Sequence, residues 1–211
     1  KLLAYATDDK GSELFTIRVR SLETGADLDD AIPDTRGDMV WAADGRTLFY
    51  IRLDDNHRPL YVYRHTIGTS VTSDALVYEE KDTGCYIAIG KTHSSRYILI
   101  DAHDHETSEV RVIDAEAPTA APRLIAARDK GHEYSVEHHG GRFIITTNSG
   151  GAEDFRVCEA PVDAPARENW RELIAHKPGR LIIETVAFKD HLVRLEREDS
   201  LPRIVIRAIA D

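Results

Sequence analysis

Short apolar runs separated by polar turns recur along this chain, and the clearest is Met39 to Tyr50, MVWAADGRTLFY. Met39, Val40 and Trp41 form one run, Leu48, Phe49 and Tyr50 another, and Asp44-Gly45 stands between them. Asp-Gly in that place marks a tight hairpin, because Gly takes positive φ freely and Asp tolerates it better than most residues. Aromatic and β-branched residues on both sides suit a pleated, mostly buried surface. The pattern predicts two antiparallel strands with Trp41 and Leu48 to Tyr50 packed and Asp44-Gly45 exposed.

That hairpin returns. Its second strand reappears as LLAYATD, LFYIRLD, YILIDAHD, FIITTNS and LVRLERE, from Leu2, Leu48, Tyr97, Phe143 and Leu192, in steps of 46, 49, 46 and 49 residues. A third strand follows each, from Leu14, Leu60, Val110, Phe155 and Ile204. Leu28, Leu76, Leu124 and Leu173 mark a fourth, outer strand. Four short strands in somewhat under 50 residues are the signature of a β-propeller blade. The predicted fold class is all-β, a β-propeller fragment of four-stranded antiparallel blades: a partial blade, three full blades and another partial blade. The first unit opens in its second strand at Leu2, and the last has a first strand near Leu181 to Phe188 and two more strands. Blades cover their apolar faces with neighbours. Residues 1–211 are therefore expected to be one propeller domain, an internal piece of a longer protein. Open edges near Leu2 to Thr7 and Ile204 to Ala210 are expected to make the piece self-associate. Within the first connection, Ser21 to Asp38, an outer strand around Leu28 is expected to give way to a loop, Pro33 to Gly37. Ala164 to Trp170 is the only stretch that hints at a helix.

Charge and candidate chemistry narrow the function. The chain has 37 acidic and 27 basic residues, a net charge of −10, which argues against nucleic acid or an anionic membrane as partner. No apolar run approaches the roughly 18 residues of a membrane span. Two cysteines, Cys85 and Cys158, imply no disulfide framework and fit a reducing cytosol. His103-Asp104-His105 and His138-His139 read as turn residues, since neighbours on a turn splay apart and metal ligands must converge. Asp and Asn in these turns are explained by hydrogen bonds to their own backbone. There is no G-x-S-x-G elbow, phosphate-binding glycine loop or H-E-x-x-H. No catalytic residue, metal ligand or cofactor is assigned.

Several strings together carry a family resemblance. RHTIGTSVTSDALVYEEKD (Arg64 to Asp82), GKTHSSRYILIDAHDHETSEVRVID (Gly90 to Asp114), EYSVEHHGGRFIITTN (Glu133 to Asn148) and HLVRLEREDSLPRIVI (His191 to Ile206) resemble oligopeptidase B sequences of the prolyl oligopeptidase family of serine peptidases. The resemblance covers essentially the whole chain in order, with Ser200 where the family usually has Gly. It implies a seven-bladed propeller capping an α/β-hydrolase domain, with this chain a non-catalytic, substrate-gating part of it. Partners would then be that hydrolase domain and short basic peptides, cleaved after Arg or Lys by a triad lying outside this chain. It also implies that Arg36, three positions ahead of the apolar run, faces the substrate where relatives carry Glu or Phe. Two other readings stand beside this one: a free-standing protein-interaction propeller, and a propeller enzyme acting on a sugar or lactone. The last needs converging histidines and carboxylates on central strands, whereas the histidines here read mostly as turn residues.

Overall fold

The computed structural model describes residues 1–209, so the expected edge at Ala210 lies outside the described residues at its last position. Strands β1 (Leu2–Thr7), β2 (Phe15–Ser21), β3 (Asp27–Trp41), β4 (Thr47–Leu53), β5 (Pro59–Thr66) and β6 (Ala75–Glu79) form one six-stranded sheet in that order. β7 (Tyr86–Lys91), β8 (Tyr97–His103), β9 (Ser108–Asp114) and β10 (Arg123–Leu124) form a four-stranded sheet. So do β11 (Tyr134–His139), β12 (Arg142–Thr147), β13 (Arg156–Pro161) and β14 (Arg171–Ile174), and β15 (Arg180–Ala187), β16 (His191–Glu198) and β17 (Leu201–Ala208) make a three-stranded one. There is no α-helix among the described residues; Ala164 to Trp170 holds only a 3₁₀ turn at Arg167–Asn169, and a second such turn is Val71–Ser73.

The opening hairpin forms as its pattern dictates. Met39 pairs with Tyr50, Val40 with Phe49 and Trp41 with Leu48, antiparallel. Gly45 takes φ +63° at the exposed turn, and Asp44 Oδ1 accepts the N–H groups of Arg46 and Thr47 at 2.9 and 2.8 Å. Leu28, Leu76, Leu124 and Leu173 fall on β3, β6, β10 and β14, each the last strand of its unit.

One expectation needs correction. Pro33 to Gly37 is no loop: β3 runs unbroken for 15 residues, closing the first unit and opening the second. Thr35 pairs with Phe15 of β2 on one side and with Arg52 of β4 on the other. Its buried hydroxyl donates to the Phe15 carbonyl at 2.9 Å and accepts the Gly37 N–H at 3.2 Å. Turn-prone residues are absorbed by local irregularity instead, with register shifts on both sides of Thr35 and positive φ at Asp34 and Gly37. A Cβ on Gly37 would meet the Phe15 ring at 3.1 Å, so this bend admits only glycine.

The chain divides into two compact units. The first comprises Lys1–Gly90, Ile98–Ala102 and Ile113–Pro122; the second comprises Lys91–Tyr97, His103–Val112 and the chain from Arg123. Unit 1 has two apolar clusters, one around Phe49, Ile51, Val62, Ile87 and Ile98, the other around Ile17, Ile32, Leu48 and Tyr50. Unit 2 packs Ile144, Val157, Ile182, Ala187 and Leu192 together. Each fully buried aliphatic side chain contributes about 1.5–3 kcal/mol.

A polar group sits among these apolar ones in unit 1. The fully buried His65 has Asp74 Oδ1 at 2.7 Å from Nδ1 and Asp30 Oδ1 at 3.0 Å from Nε2. Asp74 Oδ2 accepts the Tyr50 hydroxyl at 2.8 Å, and Asp30 Oδ1 accepts the Gly68 N–H at 2.6 Å. Burial, then the bond to Asp74, pushes the Tyr50 phenol well above its ordinary value. The network ties β3, β4 and β5 to the crossing between β5 and β6. Arg64 extends it by donating to the Pro118 carbonyl at 2.8 Å.

Turn aspartates fix the opposite ends of the strands. Asp54 Oδ1 accepts the Asn56 and Arg58 N–H groups, both at 2.9 Å, between β4 and β5. Asp104 Oδ1 accepts those of Glu106 and Thr107 at 2.8 and 2.7 Å between β8 and β9. The Arg58 N–H foremost holds the Asp54 carboxyl below its ordinary range, and the Glu106 N–H does the same for Asp104.

Two outcomes follow. His65→Leu leaves Asp30 and Asp74 buried without their donor and should cost roughly 3–5 kcal/mol of unfolding free energy in urea titrations. The depressed carboxyls of Asp54 and Asp104 contribute stability that is present above the unfolded carboxylate pKa and lost as pH falls through the folded one. Unfolding midpoints measured from pH 6 down to about pH 2 should therefore drop less steeply in Asp54→Ala and Asp104→Ala than in the wild type.

Candidate functional site

Arg36 follows Thr35 at the irregular part of β3, where the strand changes partners. Its guanidinium is held from two sides: Nη1 donates to the Ile87 carbonyl at 2.9 Å, and Nε pairs with the Asp38 carboxylate at 3.2 Å. The side chain is still 42% exposed. An arginine has five N–H donors, so a positioned guanidinium of this kind keeps donors for a further acceptor.

The histidines lie differently from the turn positions expected of them. His105 is exposed in the turn after β8, as expected, whereas His103 is the last residue of that strand and half-buried. His138 and His139 are instead buried on β11, and the turn that the pattern implies is made by Gly140 and Gly141 after them. Successive strand residues point to opposite faces, and each imidazole finds its own partner. His138 Nδ1 lies 2.9 Å from Ser94 Oγ, and His139 Nε2 donates to the Lys189 carbonyl at 2.8 Å. Among the described residues no group of three or more His, Cys, Asp or Glu is arranged to hold a metal ion.

These contacts frame a cavity of about 320 Å³ in unit 2, lined by His93, Ser94, His138, His139, Phe188 and Lys189 among others. It sits where three hairpins turn, after β7, β11 and β15. The His93 and Phe188 rings meet edge to face at 4.4 Å, and Phe188 remains 43% exposed. Both Glu137 oxygens accept the His93 main-chain N–H, at 3.2 and 3.1 Å, and one also accepts the His138 N–H at 3.3 Å. Burial foremost, with help from the charge of Glu184, pushes the Glu137 carboxyl up. Nothing in the sequence marks this place as a unit, because its residues are brought together from positions 93, 138 and 188.

Nucleophilic chemistry has little to work with here. Ser94 stands beside His138, but its hydroxyl also meets Thr92 Oγ1 at 3.0 Å and the Arg96 N–H at 3.3 Å, as a turn hydroxyl does. No α-helix follows it to present oxyanion donors. His65 beside Asp74 resembles a base and its orienting acid, yet it is sealed in the core with no serine. Cys85 and Cys158 are buried, and burial pushes the Cys158 thiol up, away from the reactive thiolate.

Comparison with known proteins gives these features a family. The family model described as prolyl oligopeptidase, N-terminal β-propeller domain, matches residues 1–211. Dipeptidyl aminopeptidase BI of Pseudoxanthomonas mexicana is 36% identical over 99% of this chain, and Protease 2 of Moraxella lacunata is 33% identical over 96% of it. The chain spans 29% of the length of each. Among solved structures, oligopeptidase B from Leishmania major superposes on 99% of the chain with a TM-score of 0.93 at 28% identity, and the match covers 29% of that protein. Oligopeptidase B from Trypanosoma brucei, in a closed form with covalently bound antipain, gives 0.89 at 27% identity, again over 99% of this chain and 29% of that one. The sheets are thus the blades of a β-propeller, and the chain belongs to the prolyl oligopeptidase family, as its N-terminal propeller domain.

Proposed function

We propose that this domain gates substrate entry in a cytosolic serine oligopeptidase similar to oligopeptidase B, which cleaves short peptides after Arg or Lys. The observation that carries the reading is the superposition of 99% of the chain on part of oligopeptidase B from Leishmania major, with a TM-score of 0.93 at 28% identity. In this reading an α/β-hydrolase domain of the same protein holds the catalytic triad, and the propeller excludes folded proteins by size. The Trypanosoma brucei relative is described in a closed form with covalently bound antipain, and in this reading opening of such a form admits short peptides. Arg36 faces the substrate in this arrangement, its guanidinium fixed by Asp38 and Ile87 and offering its remaining donors to a peptide carbonyl or carboxylate.

The test is a pair of proteins and a set of substrates. This chain alone should not turn over a fluorogenic dibasic peptide. The full-length protein should, with turnover abolished by a serine-reactive phosphonate and with folded proteins left intact. Arg36→Ala should lower kcat/KM on short peptides about tenfold, the effect of losing one charge-assisted bond. Unchanged kcat/KM on every peptide removes Arg36 from the substrate path. Amino-terminally blocked and free dibasic substrates separate endopeptidase action from the dipeptide release that the Pseudoxanthomonas mexicana relative's name describes.

A second proposal concerns the chain by itself. β17 is the outermost described strand of its sheet, and its Leu201, Ile204 and Ile206 are 63%, 72% and 63% exposed. An apolar strand edge of this kind pairs readily with another copy. Light scattering over a concentration series should show dimers or larger species, and a strictly monomeric particle at all concentrations overturns the idea.

A further inference from the structure

At the end of the first sheet where Arg36 lies, a second arginine is left without the partner that a half-buried charge calls for. Arg58 comes from the turn between β4 and β5, and Arg36 from the irregular part of β3. Both reach the first residues of β7. The Arg58 guanidinium lies over the Tyr86 ring at 5.6 Å, and Arg36 Nη1 donates to the carbonyl of the next residue, Ile87. All four residues belong to unit 1.

Arg58 is half-buried, its Nε lies out of solvent without an acceptor, and no carboxylate pairs with it among the described residues. The acids of this end are directed elsewhere. Asp54 Oδ1 takes the N–H groups of its own turn, and Asp38 pairs with Arg36. Asp34 and Asp55 are exposed and pair with neither arginine. Charges taken out of water are ordinarily paired. A tyrosine face attracts the charge but is no acceptor for the five N–H donors of a guanidinium. Tyr86 is itself 43% exposed, and its hydroxyl makes no hydrogen bond among the described residues. Arg36 Nη2 is likewise uncommitted. This place therefore supplies N–H and O–H donors, positive charge and a ring, and no acceptor to meet them.

We propose that Arg58, Arg36 and Tyr86 form a site for a carboxylate of a peptide, carried by an acidic side chain or by a free C-terminus. The guanidinium fork matches a carboxylate with two parallel N–H bonds. The Tyr86 hydroxyl adds a donor, and its ring covers the apolar part of the same residue. Arg58 is the stronger member, because Asp38 already offsets the charge of Arg36. The site rests on the reading that peptides reach this domain at Arg36, and it deepens that reading. A peptide cut after a basic residue would be chosen here by an opposite charge elsewhere along its length.

The experiment is a ligand-observed NMR titration of the full-length protein with three peptides: acetyl-alanyl-glutamate amide, acetyl-alanyl-glutamine amide, and acetyl-alanyl-glutamine with a free C-terminus. The first two differ in the side-chain carboxylate alone. The glutamate amide should bind about tenfold more tightly than the glutamine amide. Arg58→Gln, which breaks no hydrogen bond of its side chain, should bring the two within about twofold of each other. Arg58→Lys keeps the charge without the fork and should fall between. The third peptide separates the sources: binding like the glutamate amide extends the site to chain ends, and binding like the glutamine amide confines it to acidic side chains. Equal binding of the two amides, or an undiminished preference in Arg58→Gln, overturns the inference. So does inorganic phosphate binding more tightly than the glutamate amide with the same dependence on Arg58. The titration needs no turnover, so its result is separable from that of the gating reading. Carboxylate binding in a protein that hydrolyses no peptide leaves the site and removes the peptidase reading, whereas size-selective hydrolysis without a carboxylate preference removes the site alone.

Discussion

A buried imidazole with a carboxylate at each ring nitrogen tolerates no partial version of itself. Removing either aspartate strands a donor, and removing the histidine strands two acceptors. Much of unit 1 is arranged to meet that demand. Asp30 comes from the outer half of β3, His65 from the third strand of the next blade, and Asp74 from the crossing that leads to β6. Gly68, at φ +87°, turns its N–H back onto Asp30, and the 3₁₀ turn at Val71–Ser73 sets Asp74 in place. The loop between β5 and β6 brings Asp74 and the Gly68 N–H to this network.

This gives physical meaning to the strings that tie the chain to its family. Arg64, His65, Gly68, Thr69 and Asp74 all belong to one recognisable stretch. Each has a structural duty: Arg64 and Thr69 donate to the Pro118 and Thr66 carbonyls, and the other three make up the buried network. The residues of this stretch assemble blades, while Arg36, a residue nominated for contact with a peptide, lies outside their network. Similarity of sequence therefore reports the fold here far more directly than it reports specificity.

The fold was largely legible because its determinants are local and repeated. Asp44-Gly45, the leucines of the outer strands and the alternating runs act through neighbours a few residues away, and recurrence confirms each by the others. Where the reading failed, the decisive contact was distant. Pro33, Asp34 and Gly37 look like a loop until Phe15 and Arg52 are seen to claim the two sides of Thr35. His138-His139 before Gly140-Gly141 looks like part of a turn until Ser94 and Lys189 supply partners from other blades. Arg36 could be singled out by its place in the pattern, but its anchors, Asp38 and the Ile87 carbonyl, could not all be read from that place. The cavity was illegible altogether, since no short window of sequence contains it.

The shared strand also decides where this protein can bend. Two blades joined only by a connecting loop meet along side-chain contacts, which slide and reform at modest cost. Blades that have a strand in common, as the first two do through β3, are continuous in their hydrogen-bond ladder across six strands. Thr35 alone among the paired residues of β3 is bonded into both ladders, so parting these two blades would break its main-chain bonds as well as the side-chain packing between them.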